Sequence, residues 1–595
     1  MGRIAIIDKN KCKPSKCKQE CIKKCPVQRG GKQVIEIMDI EDLGKNKIAK
    51  INESLCTGCN MCVKVCPFNA IKIINTPDEQ ANDIVHRYGE NGFRLYKLPE
   101  LKTNRVLTLI GQNGIGKSTI VDILSGQCIP NFEIFDGKEI NLGKKFKNNT
   151  LKKYFSDLKA DKLTFSIKPQ KIRSVIKEHD ITVQEYIQLF DLIVNEKFID
   201  LELHNLINNE LNTLSGGELQ CLLCWITANK NANVYIFDEP SNFLDIKQRM
   251  KIGAMIKDLC TWNTCVLLVE HDLSLVDYVS DEINILYGKP GAYGIVNESS
   301  RCSTVINEYL DGYLSNSNTR FRDNAFSLLP YVNLKNTIVK SSELFFYDET
   351  IIEYPGFSLH VPRGNVDLNG SINVILGENG TGKSTFIKYL VQNNLSVSYK
   401  DQYSNIKQYR VNEQYPTVLE LLYGNIYNDP QFKSDVVNIL NIEPLENKFI
   451  NELSGGELQR VLICKTLSQP ANIYLLDEPS ANLDIENRLS CIKAFKKYAN
   501  KSNKCLFIIE HDIMMAVSLA QEVHSKILFV KKDRIEDGIK YCHVSEPLDF
   551  NTGINTFLEE IDITMRLAAN NRPRINKYNS QIDKYQKSVG CYYGS

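Results

Sequence analysis

Short apolar runs, each followed by a glycine or an acid, recur along the chain at strand length and predict buried strands of an α/β fold. Residues 106–110 lead into Gly111 and residues 372–376 into Gly377, while 234–237 and 473–476 lead into Asp238 and Asp477. A further run, 265–269, precedes Glu270, and the Cys-rich stretch 221–226 reads as a helix that packs inward. No run approaches the roughly 20 apolar residues a membrane span needs. At 595 residues the chain exceeds a single hydrophobic core, so several domains are expected.

The runs belong to two ordered motif sets, so the same unit is present twice. Gly111-Gln112-Asn113-Gly114-Ile115-Gly116-Lys117-Ser118-Thr119 and Gly377-Glu378-Asn379-Gly380-Thr381-Gly382-Lys383-Ser384-Thr385 each follow a strand and open a helix. Each is a P-loop: glycines let backbone N–H groups approach phosphates, the lysine reaches the β and γ oxygens, and the serine ligates Mg2+. Leu214-Ser215-Gly216-Gly217-Glu218 is matched by Leu453-Ser454-Gly455-Gly456-Glu457, Asp238-Glu239 by Asp477-Glu478, and Glu270-His271-Asp272 by Glu510-His511-Asp512. An aspartate ending a buried strand suits Mg2+, and the glutamate after it suits the polarising of an attacking water.

Composition adds little beyond exclusion. With 72 Lys+Arg, 71 Asp+Glu, 43% hydrophobic and 24% charged residues, the chain reads as an ordinary globular protein, neither disordered nor collagen-like. Asp8 arrives before any signal-length apolar core and Ile6 occupies the myristoylation Ser/Thr position, so a cytosolic location with reduced thiols is expected.

Cysteine placement is more telling. Of 19 cysteines, eight fall in the first 66 residues, as Cys12-x4-Cys17-x3-Cys21-x3-Cys25-Pro and Cys56-x2-Cys59-x2-Cys62-x3-Cys66-Pro. The second run has the bacterial ferredoxin spacing, in which three thiolates hold one [4Fe–4S] cluster and the fourth crosses to the other. The spacing therefore groups Cys12, Cys17, Cys21 and Cys66 on one cluster and Cys56, Cys59, Cys62 and Cys25 on the second. Structural zinc and disulfides are the alternatives. The first 75 residues carry 15 Lys+Arg against 7 Asp+Glu, a balance that favours docking on a polyanion over electron transfer.

The paired motif set resembles the ATP-binding-cassette superfamily over most of the chain. That resemblance implies head-to-tail cassettes that sandwich each ATP. One site would join Lys117, Ser118, Gln170, Asp238, Glu239 and His271 to Ser454 and Gly456; the other would join Lys383, Ser384, Gln402, Asp477, Glu478 and His511 to Ser215 and Gly217. Glu239, His271, Glu478 and His511 are the expected catalytic residues.

With the uneven first cysteine run, His86-Arg87-Tyr88-Gly89, Lys168-Pro169-Gln170, 288–294, Leu310-Asp311-Gly312-Tyr313, Arg320-Phe321-Arg322 and Arg572-Pro573-Arg574-Ile575-Asn576-Lys577, the whole chain resembles ABC subfamily E, the RNase L inhibitor family. The resemblance implies an ATPase whose closure swings the iron–sulfur domain and splits ribosomes into subunits. It implies a monomer that contacts the small subunit and its rRNA, a class-1 release factor or Pelota-like factor, and initiation factors. Tyr88 and Phe93 would stack the first adenine, and Phe357, with Tyr354, the second.

The expected organisation is an α+β ferredoxin-like domain over 1–76, a first cassette over 77–310, a hinge over 311–335, a second cassette over 336–550 and a carboxy-terminal hinge segment over 551–595. The interval from P-loop Lys to Gln is 53 residues in the first cassette and 19 in the second, which places an insertion at about 128–165. Its Lys144-Lys145-Phe146-Lys147 and Lys152-Lys153-Tyr154-Phe155 mix basic and aromatic residues as an RNA-contacting surface does, or as a solvated helix face does. Two positions depart from the family pattern: Cys221, where Arg460 stands in the repeat, and Asp401, where proline is usual. A redox enzyme, a transporter and a nucleic-acid-repair ATPase are the competing classes.

Overall fold

Each half of the chain builds a sheet whose central strands end at the predicted motifs. A computed structural model describes all residues except 1, 9–10, 41–45, 77–82, 136–141, 173–180, 327–342, 393–395, 403–405, 411–413, 425, 523, 569–571 and 595. The expected boundary at 76/77 and the end of the 311–335 hinge lie outside the described residues. Two compact units are present, one of residues 1–101, 109–163 and 284–300, the other of 102–108, 164–283 and 301–595.

In the first unit, strand Gly2–Ile7 pairs antiparallel with Ile71–Thr76, and Ile35–Ile40 pairs antiparallel with Asn46–Ile51. Short helices Glu20–Lys24 and Met61–Val65 lie inside the cysteine runs and carry Cys21 and Cys62, and Ala5, Ile7, Val34, Ile35, Ala49, Ile51 and Ile71 pack against Cys21, Cys25 and Cys62. This small core docks on the turn between strands Ile84–Arg87 and Arg94–Tyr96 through Asn91. Its amide donates to the carbonyls of Ala5 and Ile51 and accepts from Ile51 N at 2.8 Å. Glu53 reinforces the seam by pairing with Arg87 and Arg94, both of which also face Glu133.

The insertion forms helix Asn149–Lys159, capped by the Asn148 side chain. Its aromatics do not serve RNA as a stacking surface: Phe146 and Phe155 stack on each other with centroids 4.8 Å apart and are buried, and the Tyr154 hydroxyl donates to Leu124 O. Hydrophobic burial takes these rings inward, leaving Lys145, Lys147 and Lys153 exposed.

In the second unit, Phe165–Lys168, Val234–Asp238 and Cys265–Val269 run parallel, the last two in register from Cys265 against Val234 to Val269 against Asp238. Helix Gly216–Asn229 contains 221–226 and buries Leu219 to Ala228 without a break. The second cassette's sheet places Ile527–Glu536, Ile372–Gly377, Cys505–Ile509, Ile473–Asp477 and Val397–Lys400 side by side and parallel; beyond Ile527–Glu536 lies Ile539–Val544, antiparallel to it and parallel to Phe357–Val361. Among the described residues no helix is long and apolar enough to cross a membrane.

Candidate nucleotide and iron–sulfur sites

Gly377, Gly380 and Gly382 have φ of +152°, +68° and +105°, and the equivalent Gly111, Gly114 and Gly116 have +158°, +74° and +102°. A Cβ on Gly377 would lie 2.4 Å from Val530 O and one on Gly382 2.7 Å from the Phe357 ring, so these turns admit only glycine. Lys383 folds back onto the carbonyls of Gly377 and Glu378, as Lys117 does onto those of Gly111 and Gln112. Both ammonium groups thus sit inside their loops.

The second site is assembled within one unit. Ser384 Oγ donates to Asp477 Oδ2 at 2.7 Å, which puts the two groups proposed to hold Mg2+ side by side. Gln402 Nε2 donates to Glu478 Oε1 at 2.7 Å, and His511 Nε2 stands 3.2 Å from the same oxygen. Burial raises the Asp477 pKa to about 6 despite the Ser384 hydrogen bond. Burial also opposes the charge of Glu478, but His511, Gln402 and Lys383 outweigh it and hold that carboxyl at about 2. Burial and the Lys383 ammonium push His511 below the usual imidazole value.

Glu478 has φ of +45° and Glu239 +48°, left-handed values that cost strain in a side-chain-bearing residue. Both are held there by groups that motif reading alone passes over. Gln459 donates to the carbonyls of Glu478 and Pro479, Gln220 to those of Glu239 and Pro240, and the buried Lys400 and Lys168 reach the Asp477 and Asp238 carbonyls. The signal was present, since each pair recurs at matching places in the repeat.

The first signature reaches the second P-loop. Ser215 caps helix Gly216–Asn229 in a reciprocal box with Glu218, and a Cβ on Gly217 would lie 3.8 Å from Asn379 Nδ2. Asn379 N donates to Asp245 Oδ2 at 2.9 Å and Asn379 Nδ2 to Phe243 O. Ser454 caps the matching helix Gly455–Leu467 with Glu457. Of the first site, Gln170 lies 3.0 Å and His271 3.6 Å from Glu239 Oε1. Lys117 and Ser118 belong to one unit, and Gln170, Asp238, Glu239, His271, Ser454 and Gly456 to the other.

Of the proposed adenine aromatics, Phe93 packs against Gly116 as Phe357 does against Gly382, beneath each loop. Tyr88 is half-exposed with its hydroxyl 3.2 Å from Thr119 Oγ1, and Tyr354 is exposed.

The departures have local accounts. Asp401 Oδ1 accepts from Gln402 N at 2.8 Å and from Tyr399 OH, which fixes the turn without proline. Arg460 donates to the Leu440 and Asn441 carbonyls, whereas Cys221 is buried and Lys251 serves the neighbouring carbonyl of Asp200 instead.

Among the cysteines, Cys12, Cys17, Cys21 and Cys66 line one cavity with Ile37, Ala49 and Ile71. Four thiols around one cavity are the ligand set a [4Fe–4S] cluster takes. Ala49 N donates to Cys12 Sγ at 3.5 Å and Ala70 N to Cys66 Sγ at 3.4 Å, the N–H···S contacts that stabilise thiolates. Burial pushes the Cys21 thiol to about 11, with Cys12, Cys17 and Cys66 as negative neighbours. Burial pushes Cys62 to about 12, and its negative neighbours are Cys56, Cys59 and Cys25.

Comparison with known proteins adds the family. Residues 99–242 and 365–481 match the family described as ABC transporter, residues 2–33 the "possible Fer4-like domain in RNase L inhibitor", and residues 49–72 the 4Fe-4S binding domain. Translation initiation factor rli1 of Schizosaccharomyces pombe is 40% identical over 607 residues, covering 100% of this chain and 99% of its own. The chain belongs to ABC subfamily E, the RNase L inhibitor family. ABC transporter E family member 1 of Arabidopsis thaliana, from the same family, is 40% identical over 617 residues, with 100% and 99% covered. A structure described as ribosome-bound archaeal Pelota and ABCE1 is 37% identical, covers 100% of this chain and 99% of its own, and has a TM-score of 0.84. Another, of archaeal ribosome recycling factor aABCE1 with stalk protein aP1, is 37% identical over 87% of this chain and 100% of its own, at 0.78. The family fold is thus two P-loop cassettes preceded by a ferredoxin-like domain, and the chain is an ABC-type ATP hydrolase whose cofactors are Mg2+ and [4Fe–4S] clusters.

Proposed function

We propose that this chain splits ribosomes into subunits after termination or stalling, by cycles of ATP-driven closure and hydrolysis in the cytoplasm. Support comes from the family's full-length similarity and from relatives described as a ribosome recycling factor and as ribosome-bound with Pelota. The observation that carries the reading is the joint second site, where the first cassette's signature segment meets the second cassette's P-loop. A phosphate chain in that gap would meet Lys383 from one side and the Ser215 helix start from the other, so nucleotide favours closure. Mg2+ held by Ser384 and Asp477 would neutralise phosphate charge. Glu478, oriented by Gln402 and His511, would align water for attack, and loss of the γ-phosphate would release the halves.

The iron–sulfur domain is seated on the Tyr88–Phe93 turn through Asn91, so a base stacked on Tyr88 would touch the element that carries that domain. Small ribosomal subunit and rRNA, a class-1 release factor or Pelota-like factor, and initiation factors are the proposed partners of a monomeric chain. Cluster-loaded protein mixed with vacant ribosomes and a release factor tests the proposal. Light scattering should fall with ATP and stay level without nucleotide; a level trace in both would refute ribosome splitting while leaving the ATPase intact.

A further inference from the structure

Among the positions where the two halves of the chain differ in charge, one matched pair joins the first cassette to the second. Asp245-Ile246-Lys247-Gln248-Arg249 corresponds in the repeat to Asp484-Ile485-Glu486-Asn487-Arg488, and Gly377-Glu378-Asn379 corresponds to Gly111-Gln112-Asn113. The start of helix Ile246–Asp258, in the first cassette, sends three side chains onto loops of the second. Asp245 accepts from Asn379 N at 2.9 Å, Lys247 Nζ donates to Glu378 Oε1 at 2.7 Å, and Arg249 donates to the His511 carbonyl at 2.8 Å. In the repeat, the residues matching Lys247 and Glu378 are Glu486 and Gln112, which carry no opposite charges. Glu486 pairs instead with Arg322 at 3.2 Å.

The local helix gives no reason for a lysine at this position. Lys247 is the second residue of its helix, where the macrodipole disfavours a cation. Its partner supplies the reason. Burial opposes the Lys247 ammonium, yet Glu378, with Glu202 and Asp245 beyond it, raises its pKa above that of an ordinary lysine. The pair also has restricted freedom, because Asp245 and Arg249 fasten the same helical turn on either side of it. The ordering cost that makes most surface pairs weak is therefore largely met by its neighbours.

We propose that the Lys247–Glu378 pair is a positioning latch. It holds the first cassette's signature segment against the second P-loop and so lowers the ATP concentration at which the second site closes, whereas the matching Glu486 and Gln112 cannot form an ion pair with each other. The proposal rests on the twin-cassette ATPase reading. Neither side chain takes part in the hydrolytic step; Lys247 acts through Glu378 on the loop that carries Lys383.

A charge exchange in the full-length, cluster-loaded chain tests it, read as the ATP concentration that half-saturates hydrolysis. Lys247→Glu should raise that concentration about three- to tenfold, with kcat within about twofold, and Glu378→Lys, which lies in the P-loop itself, should raise it at least as far. Lys247→Arg should leave it unchanged, and the double exchange K247E/E378K should bring it back toward the wild-type value. Raising salt to about 0.5 M should raise the wild type's half-saturating concentration and lower that of the single variants, whose like charges repel, so that the gap between them narrows. Single variants that saturate like the wild type, or a double exchange no better than the worse single variant, would overturn the latch. A wild-type chain that hydrolysed no ATP would instead overturn the ATPase reading on which the latch stands.

Discussion

Arg574 grips the carboxylate of Asp277 with two guanidinium nitrogens, Nη2 reaching Oδ1 at 2.6 Å and Nε reaching Oδ2, although 297 residues separate them. Both side chains are buried. Arg572 pairs with Asp311 and Lys577 with Asp281, so the segment Arg572–Lys577 is fastened along the first cassette by three cations.

Removing one partner of a buried pair leaves the other charge unmet, so Arg574→Ala should destabilise the chain by about 3–5 kcal/mol. Arg574→Lys should recover less than half of this, because an ammonium cannot reproduce the fork. Chemical denaturation followed by far-UV circular dichroism checks both, and an unchanged midpoint for Arg574→Ala would show that the pair does not anchor this segment.

For the clusters, the crossing residue is the informative one. Cys66 follows Cys62 by four residues, yet it lines the cavity of Cys12, Cys17 and Cys21. Cys66→Ser should therefore deplete the cluster of the first cysteine run and spare that of the second, leaving about half of the iron. Iron analysis and the electron paramagnetic resonance of the reduced protein would report this. Loss of the same cluster in Cys66→Ser and Cys59→Ser would refute the crossed grouping.

Much of this was legible in the chain because two kinds of signal are local. A P-loop needs glycines at fixed offsets for backbone reasons, and cluster thiols need short spacings, so both survive as strings. The central strands were legible for a similar reason: they are buried on both faces and read as unbroken apolar runs. The aromatics of the insertion were misleading, since a mixed basic and aromatic string cannot show which way its rings turn. The roles of Lys168, Gln220 and Lys247 do not show in the sequence, because each meets carbonyls or a carboxylate distant in the chain and only the fold brings those together. Asp401 looked like a defect until its side chain was seen replacing proline's restraint with two hydrogen bonds.

Beside the first signature helix, Lys251 bonds the Asp200 carbonyl, next to the positions that match Arg460's acceptors Leu440 and Asn441 in the repeat. Lys251→Met should cost about 1 kcal/mol, one charge-assisted hydrogen bond to the Asp200 carbonyl. Cys221→Arg alone should destabilise more, by forcing a second cation into a buried place beside Lys251. Combined with Lys251→Met, it should recover most of the loss, because the new guanidinium then has the carbonyls to itself. Thermal melting of the three variants decides the point; additive losses in the double variant would sink the exchange of roles.

The two water-polarising candidates differ in how their second oxygen is held. Asn242 Nδ2 donates to Glu239 Oε2 at 2.7 Å while Gln170 holds Oε1. The residue matching Asn242 in the repeat is Ala481, which has no donor to offer Glu478. A neutral donor on one carboxylate oxygen occupies an acceptor site and fixes the side-chain rotamer, which leaves the group fewer positions from which to accept from a water. Asn242→Ala should then speed hydrolysis at the first site about fivefold, measured as single turnover with the second site silenced by Glu478→Gln. Ala481→Asn, with the first site silenced by Glu239→Gln, should slow the second by a similar factor. The paired design separates tuning of the carboxylate from simple disturbance, since a merely structural role would slow both. Changes in the same direction would therefore rule out a tuning function for Asn242.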